Sequence, residues 1–519
     1  MKKAIYLIIA LIGLSAPSCS DSMLDFSPTD SGSGKELLKS ASTAITSVNG
    51  VYRSMWKAGW STTANTHQCF GIAAYNLALD CMADDLIMQS QGNGWFWGDH
   101  CYNVKSNYTS SAFRSYDVWY ANYKWIANVN YIIDAEPEMA GTEADVAYVA
   151  GQAYAIRALC YLNLATWFSR APYNSLTGAS RWNEPCVPVY TTGTSIDTGG
   201  QPRESLRTVY GRIDQDIDRA IELLEKARET TLAENNKSHI NLYVALGIKS
   251  RACLAEGDWD GAFKAAKRVI DEGGYAVGTK SDLTGGMNSL DKQNVMWGAG
   301  IQVADQAGGY AGFFTHMDNK EGTYAKSAPK LISKQLYNRI SATDIRRDWW
   351  DPSDKESPYV SKKFSFANVA SFLGDYIYMR VEEMYFTAAE AALRLDDLKS
   401  ARELMNTVMA ERDPGYSANN RSGTLLGATT TTWTGSFLEN ILTHRRIELW
   451  GEYGRLFDVR RLGQGIDRRT DDGFSEECIS MMNRRNVNIT KADTYDWVLT
   501  IPKAELDANP NINEEDQNP

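Results

Sequence analysis

Apolar and small residues recur at helical spacing between Arg380 and Arg412. The first stripe consists of Met384, Tyr385, Ala388, Ala392 and Leu395, which recur at steps of three and four residues and therefore share one face of a helix. Asp396-Asp397 interrupts this pattern, and a second stripe runs from Leu398 to Met409. The alanines of the first helix allow two backbones to approach closely. The segment therefore predicts an antiparallel helix pair.

An earlier segment, Leu246–Ile270, repeats this pattern in the same phase, with Gly257-Asp258 at the position of the turn. Two copies in phase indicate a tetratricopeptide-like helical repeat. Two further pairs are predicted, 146–167 with 206–227 and 35–56 with 113–133. The fold class is therefore all-α, with about four helix pairs. The predicted helical regions are residues 35–56, 113–133, 146–168, 206–270, 377–412 and 437–462.

Two long interruptions of the helical pattern differ in composition from the helices. Residues 57–112 and 273–376 are rich in Gly, Asn, Ser, Trp and Tyr and contain only short alternating runs such as Asn294–Ile301. We expect them to form one loop-rich lobe with short strands, packed on the helices within a single domain, 35–519. Ligand-binding residues are concentrated on such loops, so the ligand site is expected here.

The N-terminus has the layout of an export signal. Lys2 and Lys3 precede a short apolar run, and small residues lead to Cys19. We expect residues 1–18 to be a signal peptide, Cys19 to be lipidated, and 19–34 to be a flexible polar tether. The alternative is a secreted protein in which Cys19 is lost with the signal. The apolar run is too short to span a bilayer.

Charge and cysteine usage narrow the classes of function. The formal net charge is −11, which disfavours a nucleic-acid partner. The cysteines after Cys19 are odd in number and show no CxxC spacing. One or two disulfides, among Cys69, Cys81 and Cys101, are possible in an exported chain, but we favour buried free thiols. The histidines lack metal-binding spacing and no nucleotide or cofactor fingerprint occurs, so neither a metal nor a cofactor is expected.

Aromatic residues on the loops are the best candidates for ligand contacts. Sugars present C–H faces to aromatic rings and hydroxyls to polar side chains, and Asn93, Trp95 and Trp97 supply both in one glycine-flanked segment. If the segment is extended, Trp95 and Trp97 lie on the same side. The alternative is that one or both fill the core of the lobe. Further candidate ligand-binding residues are Trp60, Tyr310 and Trp350.

Several clusters of charged residues could be mistaken for catalytic or metal-binding sites. We interpret Arg445, Arg446, Glu448, Glu452, Arg455 and Asp458 as structural charges that make i,i+4 pairs and interhelical bridges, not as a catalytic site. Asp80, Asp84 and Asp85 could bind calcium, but their order does not match an EF-hand and a helix end is the favoured interpretation.

Blocks along almost the whole chain resemble the SusD/RagB family of surface nutrient-binding lipoproteins. The matching blocks, in family order, are Cys19 with Leu24-Asp25, 152–164, Gly257-Asp258-Trp259, 380–391, 444–463 and the C-terminal Ile501-Pro502 with Asn509-Pro510. His444 departs from the family pattern, which more often has Glu there. The resemblance implies four tetratricopeptide-like pairs with a loop-rich lobe.

The resemblance also implies a function. It predicts a non-catalytic lipoprotein at the outer face of the outer membrane, anchored through Cys19, that captures an oligosaccharide for polysaccharide utilisation. The implied partner is a SusC-like TonB-dependent transporter. Capture of a peptide is the alternative within the family. An α/α-barrel glycoside hydrolase is the enzymatic alternative, because its two carboxylates need no local motif.

Overall fold

The computed structural model describes residues 34–519 except 58–65, 104–112, 196, 234–236, 303–310 and 493. The helices are α1 (Gly34–Leu37), α2 (Ala41–Ser54), α3 (Ile72–Met82), α4 (Trp97–His100), α5 (Phe113–Ala135), α6 (Glu143–Phe168), α7 (Leu206–Lys226), α8 (Leu242–Glu256), α9 (Trp259–Glu272), α10 (Lys280–Thr284), α11 (Phe313–Met317), α12 (Tyr324–Ser327), α13 (Lys334–Tyr337), α14 (Val381–Arg394), α15 (Leu398–Ala410), α16 (Phe437–Glu448), α17 (Arg455–Leu462), α18 (Glu476–Arg484) and α19 (Lys503–Ala508). The predicted all-α class is confirmed.

The long helices pack as antiparallel neighbours in chain order. Helix α6 packs on α5 and α7, α8 on α7 and α9, and α14 on α9, α15 and α16. Close approach depends on small residues: a Cβ added at Gly151 of α6 would lie only 2.9 Å from Cγ of Leu224 in α7. Helix α2 packs against both α5 and α6, so the predicted pairing of α2 with α5 is only part of its environment.

The two helix pairs that share a sequence phase also share their turn chemistry. Asp397 accepts a hydrogen bond from the Ser400 amide at the start of α15, and Asp258 accepts one from the Gly261 amide at the start of α9. One residue at each turn has a left-handed backbone conformation: Gly257 has φ 76° and Asp396 has φ 62°. Aspartate caps of this kind accept hydrogen bonds from first-turn amides that have no partner within the helix. The predicted repeat of helix–turn–helix units is confirmed for these pairs.

Short strands stabilise the loop-rich lobe. They are β1 (Leu86–Ile87), β2 (Val295–Ala299), β3 (Leu331–Ile332), β4 (Trp350–Asp351), β5 (Val360–Ser361) and β6 (Tyr376–Arg380). One antiparallel sheet has the order β1-β3-β5-β4, and β2 pairs with β6 with Val295 opposite Arg380. Strand β6 runs directly into α14, so the lobe is joined to the helices without a linker. The described cysteines are buried and free, which confirms the favoured interpretation of their thiols.

A carboxylate inside the protein joins the lobe to the helices. Glu448, at the end of α16, is fully buried and accepts hydrogen bonds from Arg346 (3.1 Å), Arg380 (3.0 Å) and Arg412 (2.9 and 3.0 Å). Burial alone would raise the pKa of Glu448, but these three arginines hold it well below its usual value. The Glu448 carboxylate is therefore ionised at neutral pH. Its burial is tolerated because the charge is fully paired.

The structure corrects part of the expectation for these charges. Glu448 and Glu452 do not find partners one turn away; they share Arg380, whose Nε donates to Glu452 at 2.7 Å. Bridges between elements, however, are confirmed, as in the 2.8 Å contact of Arg445 in α16 with Asp458 in α17. These charged residues stabilise packing, because their charges are paired with residues from other parts of the chain.

Replacing Glu448 should destabilise the protein strongly. In Glu448→Gln the three guanidinium groups lose their shared counter-charge in a buried environment, and the expected loss in free energy of unfolding is about 3–5 kcal/mol. Urea denaturation followed by circular dichroism measures it. The matched control is Asp260→Asn, which removes a carboxylate from an exposed pair with Lys264 whose side chains are 60% and 73% exposed. The control should lower stability by less than about 1 kcal/mol, since exposed ion pairs and charges in the first turn of a helix contribute little, and equal effects of both variants would contradict the structural role of Glu448.

Candidate functional site

The predicted ligand segment forms a tight turn that Asn93 fixes. The Asn93 side-chain oxygen accepts a hydrogen bond from the Trp95 amide at 3.0 Å. Its amide nitrogen donates to the Tyr324 carbonyl and to the Ser327 hydroxyl, both at 2.9 Å. Gly92 and Gly94 have positive φ values of 50° and 87°, which allow the chain to turn this sharply. Asn93 thus holds the turn against α12.

Three rings meet at the edge of this turn, and we call His67, Trp95 and Tyr324 the Trp95 cluster. The Trp95 ring stacks on His67 with centroids 5.0 Å apart at 19°, and lies edge-on to Tyr324 at 6.1 Å and 62°. The Tyr324 hydroxyl and His67 Nδ1 are 2.5 Å apart. Trp95 is partly exposed. The cluster therefore offers an indole at the surface whose orientation is set by its neighbours.

A buried layer supports the cluster from below. His316 donates from Nε2 to the His67 carbonyl at 2.6 Å and stacks on Phe70 with centroids 5.7 Å apart. Burial, aided by nearby Lys330, lowers the pKa of His316 well below 6.5, so its ring is neutral. Phe96, with φ 62°, points into this layer and its amide donates to Gln68 at 2.8 Å.

Both ends of the segment that carries Trp95 are held by one arginine. Arg468 donates to the Ala83 carbonyl at 2.7 Å and to the Cys81 carbonyl at 3.0 Å, and it also donates to the His100 carbonyl. Residues 83 and 100 are therefore fixed relative to each other, and the chain between them, which includes β1, forms a closed loop whose exposed part is residues 89–92.

The structure separates Trp97 from Trp95. The expectation that both lie on one side is wrong, because the segment is not extended: Phe96 is left-handed and α4 begins at Trp97. Trp97 is 3% exposed and packs beside His100 at 5.6 Å. Trp97 therefore fills the core of the lobe, whereas Trp95 does not.

The other predicted ligand residues fall in different places. Trp350 is 1% exposed and packs edge-on against Trp450 at 5.6 Å, so it is a core residue that cannot present a ring face to a ligand. Trp60, Tyr310 and Cys19 lie outside the described residues. His67 and Tyr324 were not predicted. No local pattern could have indicated them, because each becomes relevant only through packing against a distant segment.

The acidic residues near the end of α3 are occupied by arginines. Arg446 donates to Asp85 at 3.0 Å and to Asp84 at 3.1 Å, and the Arg455 amide donates to Asp80 at 2.7 Å. Arginine nitrogens donate to both carboxylate oxygens of Asp84 and of Asp85, the oxygens that calcium would need. Within the described part of the chain, no group of His, Cys, Asp and Glu is arranged to hold a metal ion, and no helix is both long and apolar enough to cross a bilayer.

Comparison with known families gives two matches that cover separate parts of the chain. A family model described as "SusD family" matches residues 317–519. A second, described as "Starch-binding associating with outer membrane", matches residues 46–254. Comparison with curated protein sequences gave no match.

Solved structures match almost the whole chain. A SusD-like carbohydrate binding protein from Bacteroides vulgatus is 25% identical, with a TM-score of 0.72, over 92% of this chain and 98% of its own. A SusD superfamily protein from Bacteroides thetaiotaomicron is 21% identical, with a TM-score of 0.73, over 92% and 100%. Surface glycan-binding protein A from the same organism is 17% identical, with a TM-score of 0.65, over 92% and 98%.

Removing the Asn93 side chain should loosen the turn without unfolding the protein. Asn93→Ala deletes three hydrogen bonds, which together should lower the free energy of local opening by about 2–4 kcal/mol. Hydrogen exchange of the Phe96 amide, which donates to Gln68 and keeps this acceptor in the variant, measures the opening, and its protection should fall far more than that of amides in α14. A uniform loss of protection in both regions would contradict a local role for Asn93.

Acid should destabilise the protein through His316. Its pKa is lowered on folding from 6.5, so the unfolded chain binds the extra proton first and stability falls as pH drops below about 6.5. One such histidine contributes a slope of up to about 1.4 kcal/mol per pH unit. In His316→Gln, the free energy of unfolding should change less between pH 7 and pH 5 than it does in the wild type. The remaining pH dependence would include the contribution of buried His444, whose pKa is also lowered. An unchanged slope would show that His316 is not buried in its neutral form.

Proposed function

We propose that this chain, which is a SusD-like protein, is a non-catalytic binding protein for oligosaccharides and that the Trp95 cluster is part of its ligand site. The observation that carries the proposal is the partly exposed Trp95 ring, stacked on His67 and braced by Asn93. An indole that is already fixed loses little conformational entropy when a sugar stacks on it. The descriptions of the matching family and of the two carbohydrate- and glycan-binding relatives support this ligand class.

Polar side chains around the ring fit the same ligand class. Ser327 lies next to Asn93 in the hydrogen-bonded turn, and Lys326 on α12 makes exposed contacts with Glu356 at 3.0 Å and Glu321 at 3.5 Å. Exposed ion pairs are weak enough to exchange for hydroxyls of a ligand. The partly exposed Trp95 ring together with Asn93 and Ser327 combines the apolar face and the polar groups that carbohydrate recognition needs.

We infer a binding role in preference to catalysis. Glycoside hydrolysis requires two carboxylic groups that are available to the substrate, one of them with a raised pKa. The carboxylates of the buried motif do not meet this requirement, since Glu448, Glu452 and Asp458 are held by arginines and their pKa values are lowered. The paired-helix stack also differs in architecture from an α/α barrel. The carboxylates of the buried motif therefore give no support to the enzymatic alternative.

We further propose that the protein is attached to the outer membrane through lipidated Cys19, faces the cell exterior, and passes its ligand to a SusC-like TonB-dependent transporter. The description of the matching family as associating with the outer membrane supports the location. The residues 19–34 between the acceptor cysteine and α1 are polar and suit a tether. Radiolabelled palmitate incorporation that is lost in Cys19→Ala would test the anchor.

Replacing Trp95 should weaken glycan binding without unfolding the protein. Trp95→Ala removes the stacking surface, and the affinity for the best ligand from a polysaccharide array should fall about tenfold. Isothermal titration calorimetry gives the affinity. The matched control is Trp433→Ala, which removes another partly buried tryptophan whose ring lies under Arg339 at 3.9 Å. The control should bind as the wild type does.

Trp97→Ala provides the contrasting case. Because Trp97 is a core residue, this variant should lower the melting temperature while the folded fraction keeps its affinity. Equal loss of affinity in Trp95→Ala and Trp433→Ala would contradict the assignment of the site. Co-purifying peptides together with no glycan binding would favour the peptide alternative.

A further inference from the structure

A cavity lies on the helical part of the protein, between α5 and the segment that joins α6 to α7. Its volume is about 370 Å³. Side chains at steps of three and four residues along α5 form one wall, which consists of Trp119, Tyr120, Tyr123, Lys124, Ile126 and Ala127. The other lining residues come from the joining segment and from α19, and they are Tyr190, Thr194, Ser195, Thr198 and Glu505. A long helix therefore supports one side of the cavity.

The aromatic rings of the cavity are held at fixed angles. The Tyr123 hydroxyl donates to the Pro188 carbonyl at 2.8 Å, and the Tyr123 ring meets Tyr190 edge to face with centroids 5.9 Å apart at 90°. The Tyr120 ring stacks on Tyr116 with centroids 5.5 Å apart at 12°. The three tyrosines that line the cavity are partly exposed. They therefore offer aromatic surface that loses little conformational entropy when a ligand packs on it.

Two hydroxyl groups at the rim are oriented by the backbone. The Ser195 hydroxyl accepts a hydrogen bond from the Asp197 amide at 3.2 Å, and the Thr198 hydroxyl accepts one from the Ser195 amide at 2.8 Å. A hydroxyl that accepts in this way still has its own hydrogen to donate. Ser195 and Thr198 are exposed, so a ligand in the cavity can reach both groups.

The charged groups of the cavity are one cation and one anion, Lys124 and Glu505, among the described residues that line it. Lys124 is exposed, and its Nζ lies 3.4 Å from the Tyr120 hydroxyl. Glu505 is partly exposed, and its two oxygens accept from the Trp119 indole at 3.2 Å and from Asn509 at 2.8 Å. A charged ligand would meet one group of like charge, whereas neutral hydroxyls can accept from the ammonium and donate to the carboxylate.

The size of the cavity and its exposed rim limit the ligand further. A volume of about 370 Å³ is near the lower end of the range for small-molecule sites. Because Lys124, Ser195 and Thr198 at the rim are exposed, a longer molecule can continue beyond the part that is bound. Aromatic surface, oriented hydroxyls and balanced charges together fit a short stretch of a neutral chain that is rich in hydroxyl groups.

We propose that this cavity is a second binding site for a neutral glycan. One of the sugar rings packs against Tyr120 and Tyr123, and its hydroxyls bind Glu505 and the rim hydroxyls of Ser195 and Thr198. The inference rests on the proposed function, because it takes the ligand to be a glycan. It adds a point of contact on the helices, whereas the Trp95 cluster belongs to the lobe.

The full chain carrying Trp95→Ala isolates the second site. Maltotetraose, cellotetraose, xylotetraose and mannotetraose are suitable probes, and ligand-observed NMR should detect binding of at least one of them to this variant. Adding Tyr120→Ala removes aromatic surface, so the affinity for that tetrasaccharide should fall about a further fivefold. Adding Ser195→Ala instead removes an exposed hydroxyl, which should leave the fold intact and weaken binding about threefold.

Tyr154→Ala is the matched control in the same background. Tyr154 is another partly exposed tyrosine on a long helix, with the Arg157 guanidinium 5.3 Å from its ring, and its loss should leave tetrasaccharide binding unchanged. If a tetrasaccharide binds the wild type but not Trp95→Ala, the cavity is not a glycan site and the proposed function survives. If none binds the wild type, both proposals are overturned. Equal binding with and without Tyr120→Ala and Ser195→Ala would place the sugar elsewhere and overturn this inference.

Discussion

The pairing of Glu448 with three buried arginines is the constraint on which the arrangement of the protein depends. Arg412 follows α15, Arg380 ends β6, and Arg346 belongs to the lobe, so one carboxylate determines how three separate parts of the chain meet α16. A charge cluster with no access to water tolerates no loss of a partner. The lobe therefore has a fixed position on the helices, and so do the side chains where the two meet.

Buried arginines also connect the helices to the segment that carries the Trp95 cluster. Arg446, two residues before Glu448, binds Asp84 and Asp85 at the start of the segment that leads to Trp95. Arg468 then holds the carbonyls at both ends of that segment. Guanidinium groups are suited to this because their several donors have fixed directions. Buried arginines thus fix the position, relative to the helices, of a surface loop that has little regular structure of its own.

The sequence predicted the helices well and the candidate ligand site only in part, for physical reasons. Helical periodicity and aspartate turns are local signals, and α14 and α15 lie within the predicted segment at 377–412. Asn93 and Trp95 could be named as candidates because glycine, amide and aromatic residues adjoin in the chain. Trp97 and Trp350 were named as well although both are buried, since composition cannot tell a buried ring from an exposed one. His67 and Tyr324 were missed because they join the Trp95 cluster through contacts across the fold.

The buried ion pairs give the scaffold rigidity and not chemistry. Glu448 accepts hydrogen bonds from three arginines, and Asp458 accepts one from Arg461 at 2.7 Å, so both carboxylates are held in the ionised form by their partners. Because their pKa values are lowered, neither carboxyl group can act as a general acid near neutral pH. The buried charges therefore fix the geometry of the lobe, which leaves ligand contacts to side chains at its surface such as Trp95.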